Sequence, residues 1–394
     1  MPFLFAVLLL AQNFTHRGFL ESQFTVYPQK APNDSGRIIA EELVRYEGIY
    51  KPVSDLEISA GIDLRIDTHH QVERKWRLSW DDREPRRPTA AIRNLRVLYS
   101  RGGITIEAGK QFVRWGKSDI VTPTDRFAPR DFLAVVDNDF LPTPSIRATY
   151  EHGANTIDAI WSPRFTPSRT PLRNQRWFPE PGGAAAPRTI VAFPHGEEVG
   201  VRWNHAGTFE YSVSFYQGFN HGPSYEYQPN EFVVQQFYPG IRMFGGDAAI
   251  PFRWLTAKIE AAYFDSRDGR SDEYVQYVVQ LERQTGEWSF VGGYAGEVIA
   301  NRAVNFPSFD PDRGLTKTLL GRAGYTIDAN RSVALETAVR QGGNGVWTKF
   351  EYSHAIGQHW RATTGFGLIA GKGADFLGQY RRNSHGLVAI RYSF

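Results

Sequence analysis

Between Leu56 and Asp67, the residues Leu56, Ile58, Ala60, Ile62, Leu64 and Ile66 alternate without a break with Glu57, Ser59, Gly61, Asp63, Arg65 and Asp67. Successive side chains of an extended strand point to opposite faces, so this segment has one oily and one charged surface. The pattern recurs. Phe209, Tyr211, Val213 and Phe215 oppose Glu210, Ser212 and Ser214, and Val275, Tyr277, Val279 and Leu281 oppose Gln276, Gln280 and Glu282. Each copy is about ten residues long, the length at which a tilted strand crosses a bilayer core. No sustained 3.6-residue apolar period accompanies it, so helices are not expected to build the fold.

A helical membrane protein is excluded, because mean hydropathy is negative and no apolar run approaches the roughly 18 residues a spanning helix needs. The one apolar stretch, Phe3–Ala11, is followed by Gln12-Asn13 and has the shape of an export leader. Residues 1–11 are therefore expected to be a signal peptide and 12–394 a single domain. The competing reading of 1–11 is a buried first strand. A soluble β-sandwich would alternate too, and the connections decide between them. Short links such as Arg101-Gly102-Gly103, His205-Ala206-Gly207 and Asp328-Ala329-Asn330 take turns with long polar ones, as in a barrel with tight turns on one rim and long loops on the other.

Counting back from the C-terminus predicts an all-β, transmembrane antiparallel barrel of eighteen strands, with sixteen as the alternative count. The strands fall near 18–27, 37–50, 56–67, 91–100, 104–111, 145–151, 156–161, 197–204, 208–217, 237–249, 255–266, 273–283, 288–299, 316–327, 332–341, 346–353, 361–368 and 386–394. The second and tenth are weakly patterned. Tyr27, Trp161, Trp203, Trp254, Trp288 and Trp360 sit near strand ends, where interfacial girdles place aromatics.

The last strand alternates Val388, Ile390, Tyr392 and Phe394 with Leu387, Ala389, Arg391 and Ser393 and stops on phenylalanine. It resembles the terminal assembly signal of outer-membrane barrels. The resemblance implies a diderm bacterial source, a multi-pass place in the outer membrane among its lipids and lipopolysaccharide, and insertion by the barrel-assembly machinery. A second stretch of about 25 residues carries Gly109-Lys110-Gln111, Arg114-Trp115-Gly116-Lys117 and Arg130-Asp131-Phe132. It resembles a segment of the alginate-export-like porins and neighbouring barrel families, which implies a porin but not the polysaccharide substrate.

With the apolar face turned to lipid, the other face sends Arg65, Arg96, Arg147, Arg202, Glu260, Arg322, Glu336, Arg340, Lys349 and Arg361 into the lumen as pore-lining residues. Facing lipid near mid-bilayer instead, an Arg or Lys costs roughly 2–4 kcal/mol. The link 112–144 carries Asp119, Asp125, Arg126, Arg130 and Asp131. It either folds inward as a constriction or stands outside as a lid. The proline-rich link 162–196 carries Arg164, Arg169, Arg173 and Arg176. These form an electropositive outer vestibule that concentrates anions, or a solvated loop that meets lipopolysaccharide phosphates.

Charge and motif exclude other classes. The net charge of +3 comes from 45 basic and 42 acidic residues, a poor match to nucleic-acid binding. There is no cysteine, hence no thiol catalysis or cysteine-held metal. Asp67, His69 and His70 read as solvated loop residues rather than metal ligands. No phosphate-cradling glycine loop occurs. The expectation is a channel for passive passage of small polar or anionic solutes, without catalytic residue, metal or cofactor. The alternative is a non-transporting barrel that acts as scaffold, adhesin or partner-binding protein.

Overall fold

The structure, a computed structural model, describes residues 13–119, 121–179, 187–303 and 306–394. The expected leader, 1–11, lies outside them. The strands are β1 (Phe14–Val26), β2 (Ile38–Val53), β3 (Leu56–Asp67), β4 (Ala90–Arg101), β5 (Ile104–Gln111), β6 (Thr143–His152), β7 (Asn155–Ser162), β8 (Glu198–Ala206) and β9 (Glu210–Phe219). They continue as β10 (Gly240–Pro251), β11 (Thr256–Ser266), β12 (Glu273–Thr285), β13 (Trp288–Asn301), β14 (Thr318–Asp328), β15 (Arg331–Arg340), β16 (Gly345–Ile356), β17 (Trp360–Gly371) and β18 (His385–Ser393). Each pairs antiparallel with its neighbours in sequence. β1 also pairs with β18, from Phe19↔Ser393 to Val26↔Gly386. The sheet therefore closes without an edge, which is what lets β-structure satisfy its backbone hydrogen bonds in lipid.

All eighteen predicted strands are present, and β3 and β5 have the predicted bounds. The alternation orients them. Leu95 and Val97 face outward and are exposed, while Arg96 between them turns inward to carboxylates. Where the pattern is weak, the inner face is apolar. Leu43 on β2 and Ile241 and Met243 on β10 point inward yet are buried, the last two because Trp115 and Phe127 of the link 112–142 pack on them. The start of β1 at Phe14, the terminal Phe394 and the tight turns share one rim.

The other rim carries the long links. Within 68–89, Leu78–Ser79 pairs parallel with Ala90–Ala91 of β4, so this link contributes a short segment to the wall itself. Links 163–197 and 220–239 build a small outer sheet in which Arg188–Val191 runs parallel to Val233–Phe237, and Val233–Phe237 pairs antiparallel with Ser224–Gln228.

Phe394 closes the ring. Its backbone N–H donates to Gly18 O at 3.0 Å, Gly18 N–H donates to Phe394 O at 2.9 Å, and the phenyl ring lies over Gly18. Because the ring is half exposed, Phe394→Ala is expected to cost about 1 kcal/mol, roughly half of what full burial of a phenylalanine contributes. That is about a fivefold change in the folded-to-unfolded ratio. The heat-modifiable fraction on gels should fall accordingly, and an unchanged fraction would remove this strand-closing role.

Candidate functional site

The link 112–142 enters the barrel instead of standing outside it. Its first turn is held by Trp115, whose Nε1–H donates to Asp158 of β7 at 2.9 Å and whose backbone N–H donates to Asp125 at 3.1 Å. Gly116 is needed because a Cβ there would stand 2.7 Å from Thr122 and 3.1 Å from Glu260. On the wall, Gly200 leaves the corresponding space, since a Cβ would meet Trp115 at 2.6 Å and Phe127 at 2.7 Å. Val113, Trp115 and Phe127 then share a buried cluster with Ile160, Tyr216, Met243 and Phe264 of the inner wall.

Glu260 on β11 is the main fastener. It is fully buried and accepts hydrogen bonds from the N–H groups of Lys117 (3.0 Å), Ser118 (3.0 Å) and Thr124 (2.9 Å) and from the Thr124 hydroxyl (2.8 Å). Further along, Val121 packs on Val278, Leu320 and Ala338, Val135 packs with Trp177, Ile369 and Tyr380, and Asp137 reaches Lys349 of β16 at 3.4 Å. The link thus touches β7, β11, β12 and β14–β17, which takes it across the lumen.

Of the charges predicted to line the lumen, most form ion pairs on the inner wall. Arg65 bonds Glu41 at 2.6 Å, Arg96 lies between Glu57 (3.0 Å) and Glu107 (2.6 Å), and Arg147 bonds Asp158 at 2.8 Å. Arg202 bonds Asp247 at 2.8 Å, and Arg322 bonds Glu336 at 3.3 Å. Arg361 is opposite Arg391, which bonds Glu21 at 2.7 Å. Two positions differ from the expectation. Glu260 grips the link rather than bordering open space, and Arg340 at the outer end of β15 bonds Asp375 at 3.1 Å and the Gly314 carbonyl at 2.6 Å. Both act as anchors because incoming backbone groups need partners once buried.

The five charges of the inward link separate in the same way. Asp125 is buried against Arg114 and Trp115, and burial pushes its carboxyl above the usual range despite the Arg114 guanidinium. Arg126 is buried, its guanidinium over the Phe264 ring at 5.4 Å. Asp131 is buried between Arg87 and Arg169. Arg130, over the Phe140 ring at 4.5 Å, and Asp119, 3.6 Å from Lys258, border a central cavity of about 560 Å³.

The vestibule expectation is corrected for two of its four arginines. Arg169 is buried and bonds Asp82 at 2.8 Å and Asp131 at 3.0 Å. Arg176 is buried over the Tyr27 ring at 3.5 Å and donates to the Gln29 (3.1 Å) and Gly36 (3.0 Å) carbonyls. A guanidinium's five donors suit it to join loops in this way. Arg164, paired with Asp81, and Arg173, bonded to the Pro187 carbonyl at 3.0 Å, remain at the surface. Sequence reasoning missed Arg87, which joins Glu41 to Asp131. Its signal is buried in the run of arginines 83–87. His69 is not solvated: its Nε2 lies 2.6 Å from Asp34.

The fold of this closed wall is shared by solved structures. A BenF-like porin from Pseudomonas fluorescens Pf-5 superposes with a TM-score of 0.58 at 8% identity, covering 97% of this chain and 98% of that one. The barrel has the porin fold. OccK3 (OpdO) of Pseudomonas aeruginosa superposes at 0.56 with 11% identity over 98% and 97% of the two chains, and the outer membrane protein opdK of the same species at 0.55 with 8% identity over 97% and 99%. No family model and no curated protein matches the sequence. None of these three porin-fold structures is described as an alginate exporter, so that resemblance of residues 109–132 gains no support.

Proposed function

We propose that the chain is an outer-membrane channel through which small polar or charged solutes pass passively, with the inward link 112–142 setting the width of the path. The observation that carries this reading is the link's course across a charged lumen, held by Glu260 and tipped by the Asp137–Lys349 pair. Asp137 and Asn138 border both the central cavity and a second one of about 380 Å³ against β1, β2 and β18. The tip therefore divides the lumen. Arg130 and Lys349 border the path, whereas Arg126 serves the link's packing. The exposed Arg164 and Arg173 are available to outer-leaflet phosphates, and the strand ending in Val388, Ile390, Tyr392 and Phe394 serves as the assembly signal.

Paired charges of both signs inside a barrel hold water without a large net field, so conductance should be discrete and only weakly ion-selective. The test is single-channel recording of purified protein in planar bilayers. Stepwise conductance with a reversal potential near zero in a salt gradient is the expected result. No conductance at any voltage, from protein shown to be folded, would leave the scaffold reading in its place.

A further inference from the structure

The central cavity has a chemistry that narrows the solute class, and this inference rests on the channel reading. Across β14–β17 the inner wall is banded. Leu320, Ala338, Trp347 and Ile369 are successive cross-strand partners and form an apolar row. Phe132 and Val135 of the inward link add to the apolar surroundings. One step toward the short-turn rim, Arg322, Glu336 and Lys349 are again cross-strand partners and form a row of alternating sign. Asp137 meets Lys349 from the link side, and on the far wall Lys258 lies between Asp119 and Glu282.

Among the described residues, nine charged side chains line this space, five acidic and four basic, Asp312 and Arg130 completing the set. A simple anion drawn to Lys349 would stand beside Asp137 and Glu336, and a simple cation drawn to Glu336 would stand beside Arg322 and Lys349. Either gains attraction from one neighbour and repulsion from the next. A solute that carries both charges a few ångströms apart meets favourable partners at both ends, while an apolar group on it reaches the Leu320–Trp347 row. The volume, about 560 Å³, lies within the roughly 300–1,000 Å³ of small-molecule sites.

We propose that the central cavity is a binding subsite for small zwitterions bearing a compact apolar group, and that it makes the channel prefer them over singly charged relatives of the same size. Three probes share a phenylethyl skeleton and differ in which charged groups it bears: L-phenylalanine carries an ammonium and a carboxylate, 3-phenylpropionate the carboxylate alone and 2-phenylethylamine the ammonium alone. In proteoliposomes carrying the full chain, L-phenylalanine should enter about tenfold faster than either ion, the ratio that about 1.4 kcal/mol of preference corresponds to. Glu336→Gln should move the preference toward 3-phenylpropionate, and Lys349→Gln toward 2-phenylethylamine. Trp347→Ala should reduce the advantage of L-phenylalanine over L-serine. Equal entry of the three probes, a wild-type preference for either ion, or both charge variants moving the preference the same way would overturn the subsite while ion conductance keeps the channel reading intact. Loss of both ion conductance and solute entry in folded wild-type protein would overturn both.

Discussion

Glu260→Ala should release the inward link from the wall and raise single-channel conductance severalfold, with the barrel still assembled. The carboxylate is the only acceptor described for the N–H groups of Lys117, Ser118 and Thr124, and it also takes the Thr124 hydroxyl. Each buried donor left without a partner costs about 1–3 kcal/mol, so the four together cost about 4 kcal/mol at the least. That is about a thousandfold shift toward conformations in which water reaches these groups. Glu260→Gln should behave nearly as badly. Its amide oxygen can keep Thr124, but its NH₂ then faces the N–H groups of Lys117 and Ser118. Thr124→Val removes the hydroxyl bond alone and should change little. The strand ladders on either side of Glu260 are untouched, so the heat-modifiable band should remain while protease gains access to sites within 112–142. Unchanged conductance and unchanged cleavage in Glu260→Ala would mean that the hydrophobic cluster around Trp115 and Phe127 holds the link unaided.

The wall was legible because lipid imposes a rule on every strand, and that rule is local. Leu56–Asp67 obeys it along its whole length, and its predicted bounds are the observed ones. It weakens wherever the lumen is filled instead of wet. Met243 and Ile241 are apolar on the inner face of β10 because Phe127 and Trp115 arrive there from more than a hundred residues away. Nothing in the local pattern distinguishes such a residue from a lipid-facing one. The same distance hides the anchors. Arg169 and Arg176 read as free cations because their partners, Asp82, Asp131 and the Gly36 carbonyl, belong to other links. Glu260 alternates like any lumenal glutamate until the link is in place. The residues the sequence could nominate, Arg96, Arg147 and Arg322, are those whose partners lie on adjacent strands, where period two alone brings opposite charges together.

Asp131→Asn should unfasten three outer links at once. The carboxylate is 3% exposed and accepts from Arg87 Nε at 2.9 Å, Arg87 Nη2 at 3.3 Å, Arg169 Nη1 at 3.0 Å and the Leu133 N–H at 3.2 Å. Arg87 belongs to link 68–89 and Arg169 to link 163–197, so this one carboxylate ties the inward link to both, beside backbone bonds such as Phe132 N–H to Arg169 O at 3.1 Å. Burial alone would raise the Asp131 pKa, but the Arg87 and Arg169 guanidiniums outweigh it and hold the carboxyl well below the usual range. A depressed carboxylate stabilises the fold above its unfolded pKa of about 3.9, and the contribution is lost as pH falls through the lower folded value. The Asp131 contribution should therefore stay level from neutral pH down to about pH 4, the floor set by that unfolded value, and protease cleavage of the three links should not rise through loss of this group in that interval. The asparagine variant leaves two buried guanidiniums facing a neutral amide. Breaking a buried pair by removing one partner costs roughly 3–5 kcal/mol, so its outer links should be cleaved faster and its conductance altered across the whole interval, without a titration step. A variant that matched wild type in cleavage and conductance at neutral pH would show that the other bonds of Arg87 and Arg169, to Glu41, Gln71, Asp82 and the Glu84 carbonyl, are enough to hold the links together.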